Sequence, residues 1–263
     1  MSTVRGARER ARIEVTAAIK DEAKKQLAAE GAAKLSLRAV ARELGMASSA
    51  LYRYFPSRDE LLTALIVDAY DSVGETAEAA HRTARDQAAT HLARWIAVTR
   101  AVRDWALAHP HEYALIYGSP VPGYTAPQAT IGPASRVGLV LIAVVADAYR
   151  TDGLALSPLA DDLRGEAGRM VTELAPDLPP EAAAPLIAAW SQLFGLISFE
   201  IFGQFNRVVE AREIFFREAV TELARTVGLL RDGNGGGNGG GNGRRLLKIS
   251  GSGPGSVESG PIL

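Results

Sequence analysis

The sequence predicts an all-α fold. Three observations carry the prediction. Apolar residues recur at steps of three and four almost throughout. Proline is missing before Pro56 and again between Ser57 and His109. No alternating Val/Ile/Thr-rich run is bounded by hairpin turns. The chain has 263 residues, 47% of them hydrophobic, so it can bury a full core in one large or two small domains. Full-length disorder and collagen-like structure do not fit this composition.

Each expected helix has a local reason. Ile13, Ala17, Ala23 and Leu27 share a face of a first helix near 8–30, which Gly31 stops. Ser36 is placed to cap a helix over 37–44, and Gly45 to end it. A short helix is expected over 48–54. Ser57 then caps a longer one, with Asp59 and Glu60 in its first turn, where acids favour the macrodipole. Further helices are expected near 86–108, from Pro110 through Tyr117, from Pro133 to Arg150, over 158–174, from Pro180 to Phe205, and over 208–231. Pro120, Pro122 and Pro127 mark 118–132 as a loop.

Residues 233–243 hold eight glycines and three asparagines and read as a flexible linker. The basic-apolar segment Arg244-Arg245-Leu246-Leu247-Lys248-Ile249 follows. It is either part of a disordered tail or a tethered peptide for a partner or DNA. The expected organisation is a small domain over 1–56, a larger helical domain over 57–232, and a linker and tail over 233–263.

The chain lacks cysteine, which excludes disulfides, Cys-ligated zinc, Cys-held iron–sulfur clusters and thiol catalysis. The net charge of −1 hides a division: residues 1–60 carry 12 Lys and Arg against 8 Asp and Glu, a net +4. The next segment, 61–232, is net −7, and the remainder +2. A basic first quarter before an acidic body suggests an anion-facing module on a separate scaffold. The longest aliphatic run, Val137 to Ala146, is ten residues if Gly138 is tolerated, against about 20 for a membrane span. No apolar stretch follows the four arginines of residues 1–12, so they do not read as a signal peptide. The expectation is a cytoplasmic protein with no membrane partner.

The informative segment runs from Leu35 to Phe55. It reads helix, glycine-containing turn, short helix: a helix-turn-helix. Ala41 is small where the helices cross, and Gly45 can take positive φ at the turn. Val40, Leu44, Leu51 and Phe55 supply an inner face. Ser48, Ser49, Tyr52 and Arg53 then face outward, where they can hydrogen-bond phosphates and base edges. Arg38, Arg42, Arg53 and Arg58 add the cationic charge that non-specific DNA affinity requires.

On these residues the chain resembles the TetR family of bacterial transcription regulators. The match rests on Ser36-Leu37-Arg38, Val40-Ala41, Leu44-Gly45 and above all Leu51-Tyr52-Arg53-Tyr54-Phe55-Pro56-Ser57-Arg58-Asp59-Glu60-Leu61-Leu62. The resemblance implies a homodimer with a three-helix DNA-binding domain and a larger domain that dimerises and binds a small molecule. It also implies a pseudo-palindromic double-stranded operator, with Ser36, Arg38, Ser48, Ser49, Tyr52, Arg53, Tyr54 and Arg58 as the DNA-contact set. Ala47 departs from the family, which often has Ser or Thr there; Ser48 is the substitute cap. The stretch from Trp190 to Glu200 is similar to a subgroup whose regulatory domain carries a Trp-His-Gly signature, with Phe194 where that signature has His.

Trp95, Tyr113, Tyr117 and Phe194 are the candidate lining of an effector pocket, on elements that form the pocket in similar proteins. The broad apolar faces over 180–205 and 208–231 are the candidate dimer interface, a four-helix bundle about a two-fold axis. His109, His111 and Glu112 lack the further ligands a metal site needs. No phosphate loop and no nucleophile–base set stands out, so no catalytic residue, metal or cofactor is expected. The leading expectation is a repressor released by a small molecule. Two rivals remain at this point: the same head controlled by a protein partner, and a helical enzyme that kept a helix-turn-helix-like hairpin.

Overall fold

The computed structural model describes residues 2–230, with side chains from residue 6 onward. Ten α-helices fill this span, and no strand occurs among the described residues. The expected linker and tail lie outside them.

The first three helices form a head around one small core. α1 (Ser2–Glu30) starts earlier than expected and ends at Gly31, whose φ is +79°. α2 (Leu37–Glu43) is capped by Ser36, whose Oγ accepts the Ala39 N–H at 3.4 Å. Gly45 takes φ +64°, and the Met46 N–H turns back to the Ala41 carbonyl at 2.8 Å. That pairing satisfies a carbonyl the helix end would otherwise leave open. α3 (Ser48–Leu51) is shorter than the expected 48–54: residues 52–54 continue as a turn, with the Tyr54 N–H on the Leu51 carbonyl. Ile19, Ala23, Val40, Ala41, Leu51 and Leu61 close the head core.

α4 (Arg58–Asp86) leaves the head and runs into the body. Ser57 caps it, accepting the Glu60 N–H at 3.1 Å. The helix expected near 86–108 starts later, at His91, and residue 86 belongs to α4. Ala88 adopts φ +52° and breaks the chain between α4 and α5 (His91–Ala108), which Thr90 caps by accepting the Ala93 N–H. α6 (Pro110–Tyr117) and α7 (Ile131–Thr151) follow, with Pro133 inside the first turn of α7. α8 (Arg164–Leu174) begins after a 3-10 turn at Asp161–Leu163, not at 158. α9 (Ala183–Ile201) stops short of Phe205, and α10 (Arg212–Thr226) starts after 208, because Gly203 at φ +85° and Arg207 at φ +63° turn the chain between them.

The body core gathers Val73, Trp95, Val98, Tyr113, Val144, Leu193, Ile197 and Val220. Ion pairs tie the helices across it. The Arg136 guanidinium forks onto Glu78 at 2.8 and 2.9 Å and also reaches Asp71 at 2.7 Å, lashing α7 to α4. Gly74 lies beneath this crossing; a Cβ there would sit 2.8 Å from the Arg136 side chain. Arg94 pairs with Asp147 and reaches His81 Nε2 at 3.3 Å, joining α4, α5 and α7. Arg103 of α5 forks onto Glu200 of α9 and reaches Glu213 of α10.

Two segments, Gln128–Thr151 and Pro180–Ile201, are long and apolar enough to cross a membrane, more than the ten-residue run suggested. The first holds Arg136 and Asp147 in the pairs just described, which lipid would not replace. Both segments place part of their side chains in the body core.

Head and body meet along a continuous seam. Lys20 pairs with Asp68 at 2.8 Å and Lys24 with Glu112 at 3.6 Å. The Tyr124 hydroxyl bonds Thr63 Oγ1 at 3.0 Å, and Leu115, Val121 and Tyr124 pack against the head core.

Candidate nucleic-acid interface and regulatory site

The short α3 is held from below and open above. Leu51 and Phe55 are buried in the head core. Ser48, Ser49, Tyr52 and Arg53 stand on the solvent side, Tyr52 at 41% exposure. Arg38 is also exposed, and neither Arg38 nor Arg53 forms an ion pair among the described residues. Buried apolar anchors beneath exposed hydroxyl and guanidinium groups suit a surface that reads a polyanion. Ala47 holds the cap position without a side-chain acceptor, so Ser48 is the first residue of α3 and not its cap.

The other three expected contacts are half-buried. Ser36 spends its hydroxyl on the α2 cap. Tyr54 packs against the head core. Arg58 donates to the Ala32 and Ala33 carbonyls at 3.0 and 3.3 Å, holding the α1–α2 connection against the start of α4. Sequence spacing did not suggest this structural job for Arg58, because its partners lie 26 and 25 residues away.

Three of the four expected pocket residues come together. Tyr113 and Tyr117 have ring centroids 5.1 Å apart, and Tyr117 stacks on Phe194 at 4.1 Å. The Tyr113 hydroxyl donates to the Phe194 carbonyl at 3.1 Å and shares a 2.8 Å hydrogen bond with Ser198. Burial pushes the Tyr113 phenol up to about 12 despite the Ser198 hydrogen bond. Burial raises Tyr117 too, reinforced by Tyr70 and Tyr113. Trp95 stands apart: it is fully buried, and its indole N–H donates to the Val220 carbonyl at 2.9 Å.

The open space lies next to this cluster. A cavity of about 270 Å³ is lined by Gly138, Leu139 and Ile142 of α7, Leu174 of α8, and Ile187 and Trp190 of α9. Its walls are almost wholly apolar, and Trp190 sets its ring edge-on to Phe194 at 5.8 Å. The sequence alone did not point to this cavity. Trp190 was the available signal, but the concavity arises where Gly138 leaves α7 bare, and that needs three helices in place.

The comparisons agree with this architecture. Residues 19–65 match the family "Bacterial regulatory proteins, tetR family", and 95–223 match "Tetracyclin repressor-like, C-terminal domain". HTH-type transcriptional regulators Rv1816 of Mycobacterium tuberculosis and Mb1846 of Mycobacterium bovis are each 43% identical over 220 residues, covering 76% of this chain and 86% of theirs. The solved structure of SCO4313 superposes with TM-score 0.66 at 35% identity, over 82% of this chain and 97% of its own. The TetR-family regulator PfmR of Thermus thermophilus shares the fold, with TM-score 0.52 at 18% identity over 81% of this chain and 99% of its own. The similar families and relatives are transcription regulators, not enzymes. The chain belongs to the TetR family and is a DNA-binding transcriptional regulator.

Proposed function

We propose that this regulator is a cytoplasmic homodimeric repressor, released from a pseudo-palindromic operator by a small, mainly apolar effector. The observation that carries the reading is the exposed row Ser48, Ser49, Tyr52 and Arg53 on the buried Leu51–Phe55 anchor. Arg38 joins that row, while Ser36, Tyr54 and Arg58 brace it and border the phosphate path. The working division is a head over 1–56 and a regulatory body over 57–232.

The second copy docks on α9 and α10. Phe199, Phe202, Ile214 and Phe215 are 40–55% exposed there, and an apolar groove between the two helices runs past Gly195. Pairing these helices with their two-fold copies removes that surface from water. Two recognition helices then enter successive major grooves, about 34 Å apart.

The effector enters the α7–α8–α9 cavity and contacts Trp190, with Phe194, Tyr117 and Tyr113 behind it; Trp95 supports the core. Its binding and operator binding oppose each other by the same coupling free energy. α4 is the link, since one helix joins head and body. The test is a gel shift with the DNA flanking its own gene, alongside sedimentation of the free protein. A specific shift and a dimer support the reading; a monomer at micromolar concentration, or no shift, removes it.

A further inference from the structure

α1 begins seventeen residues before the span that matches the family's DNA-binding domain, which starts at residue 19. This extra helix carries Arg8, Arg10 and Arg12. None of the three forms an ion pair among the described residues, whereas the body's Arg94, Arg103, Arg136, Arg150 and Arg169 all have carboxylate partners. Unpaired arginine on an exposed helix face keeps its full charge for an external anion.

The arginines are not evenly placed. Arg8, Arg12 and Val15 fall at steps of four and three on one face of α1. They line a surface cleft of about 460 Å³ whose opposite wall is Arg53 and Tyr54, from the end of the recognition element. Three of its residues are arginines, and none is acidic. Arg10 lies off this face and does not line the cleft. The cleft therefore presents cationic side chains from two elements to the space beside α3, where the duplex backbone must pass if α3 enters the groove.

We propose that the cleft between α1 and the recognition element is a second phosphate-binding site. Arg8 and Arg12 there hold the DNA backbone flanking the bases that α3 reads. The inference rests on the placement of α3 in the major groove proposed above. A guanidinium pairs with phosphodiester oxygens through parallel N–H donors, so each arginine takes one phosphate with no demand on sequence. The contact adds affinity and register, not base selectivity.

The test is the salt dependence of binding to a fluorescein-labelled 30-base-pair duplex of random sequence, followed by anisotropy. Each phosphate neutralised contributes about −0.9 to the slope of log K against log[salt]. R8A and R12A are each expected to flatten the slope by about 0.9, and the double variant by about 1.8. R10A removes the same charge off the cleft and is expected to leave the slope unchanged. Alanine is the best helix former, so all variants keep α1, as circular dichroism will verify. Wild-type slopes in R8A and R12A, with the wild type itself binding, overturn this inference and leave the recognition helix as assigned. A loss confined to one sequence at an unchanged slope marks base reading and also overturns it. Failure of the wild type to bind any duplex at low salt removes both readings.

Discussion

The guanidinium of Arg103 and the carboxylate of Glu200 meet as a fork, 2.7 Å on each arm, with both side chains about 6–7% exposed. The pair joins α5 to α9 at the heart of the body. Glu213 of α10 closes it from the other side at 2.6 Å, and Arg103 lies 5.1 Å from the Phe216 ring centroid. Removing one member leaves a charge stranded away from water. Arg103→Met is expected to cost about 3–5 kcal/mol in urea unfolding. The double variant R103M/E200L is expected to recover most of that loss, since an apolar pair of similar volume has no charge to desolvate. Equal losses in single and double variants would show that packing, not charge, sets the cost.

DNA contact and head stability are expected to separate at Tyr52 and Arg58. Tyr52 is 41% exposed, so Tyr52→Ala is expected to weaken operator binding while unfolding shifts by less than about 0.5 kcal/mol. Arg58 donates to two backbone carbonyls, so Arg58→Ala is expected to lower head stability by about 1 kcal/mol as well as binding. Melting curves and anisotropy on both variants decide the assignment.

Acidification acts on His81. Burial lowers its pKa from 6.5, and Arg94 and Arg85 reinforce the shift against the opposing charge of Asp147. The folded protein therefore protonates His81 at lower pH than the unfolded chain, which takes up a proton below about pH 6.5. Its contribution to stability is present above that pH and is lost as the pH falls. A plot of melting temperature against pH from 8 to 5 is expected to slope less for His81→Gln than for wild type.

A charge placed on the proposed dimer face is expected to break it. Phe199 is 51% exposed, and Phe215 is 40% exposed across the same groove. Phe199→Glu is expected to leave the monomer folded, since the site faces solvent in one chain, and to shift sedimentation to the monomer mass. Operator affinity falls with it, because one head cannot span two half-sites.

The proposed effector cavity has room at Gly138 for a larger side chain. Apart from the adjoining backbone of α7, no atom lies within 4 Å of where a Cβ on Gly138 would stand. Gly138→Leu is expected to preserve operator binding and abolish release by effector. A normal response would move the effector site elsewhere.

Much of the head was legible because its signals are local. Ser36, Gly45 and Ser57 each act on residues within five positions, and all three do what their residue type suggests. Pro110 marks the start of α6 for the same reason. The α4–α5 break was not legible: Ala88 takes the left-handed conformation, for which alanine carries no preference. The fork between Arg103 and Glu200 spans 97 residues, and no periodicity announces it. The proposed effector site shares this difficulty. Its aromatics were visible as aromatics, but whether Trp95 fills a core or borders a space depends on what α10 places opposite it.

α4 carries a glycine, Gly74, near its middle, where helix propensity is weak, and Arg136 crosses that point to reach carboxylates a turn away on either side. Any side chain at position 74 would displace the arginine, and a shorter residue at 136 would leave the glycine unsplinted. The two positions are therefore coupled: an alanine at 74 is expected to need a smaller residue at 136 to make room for its Cβ.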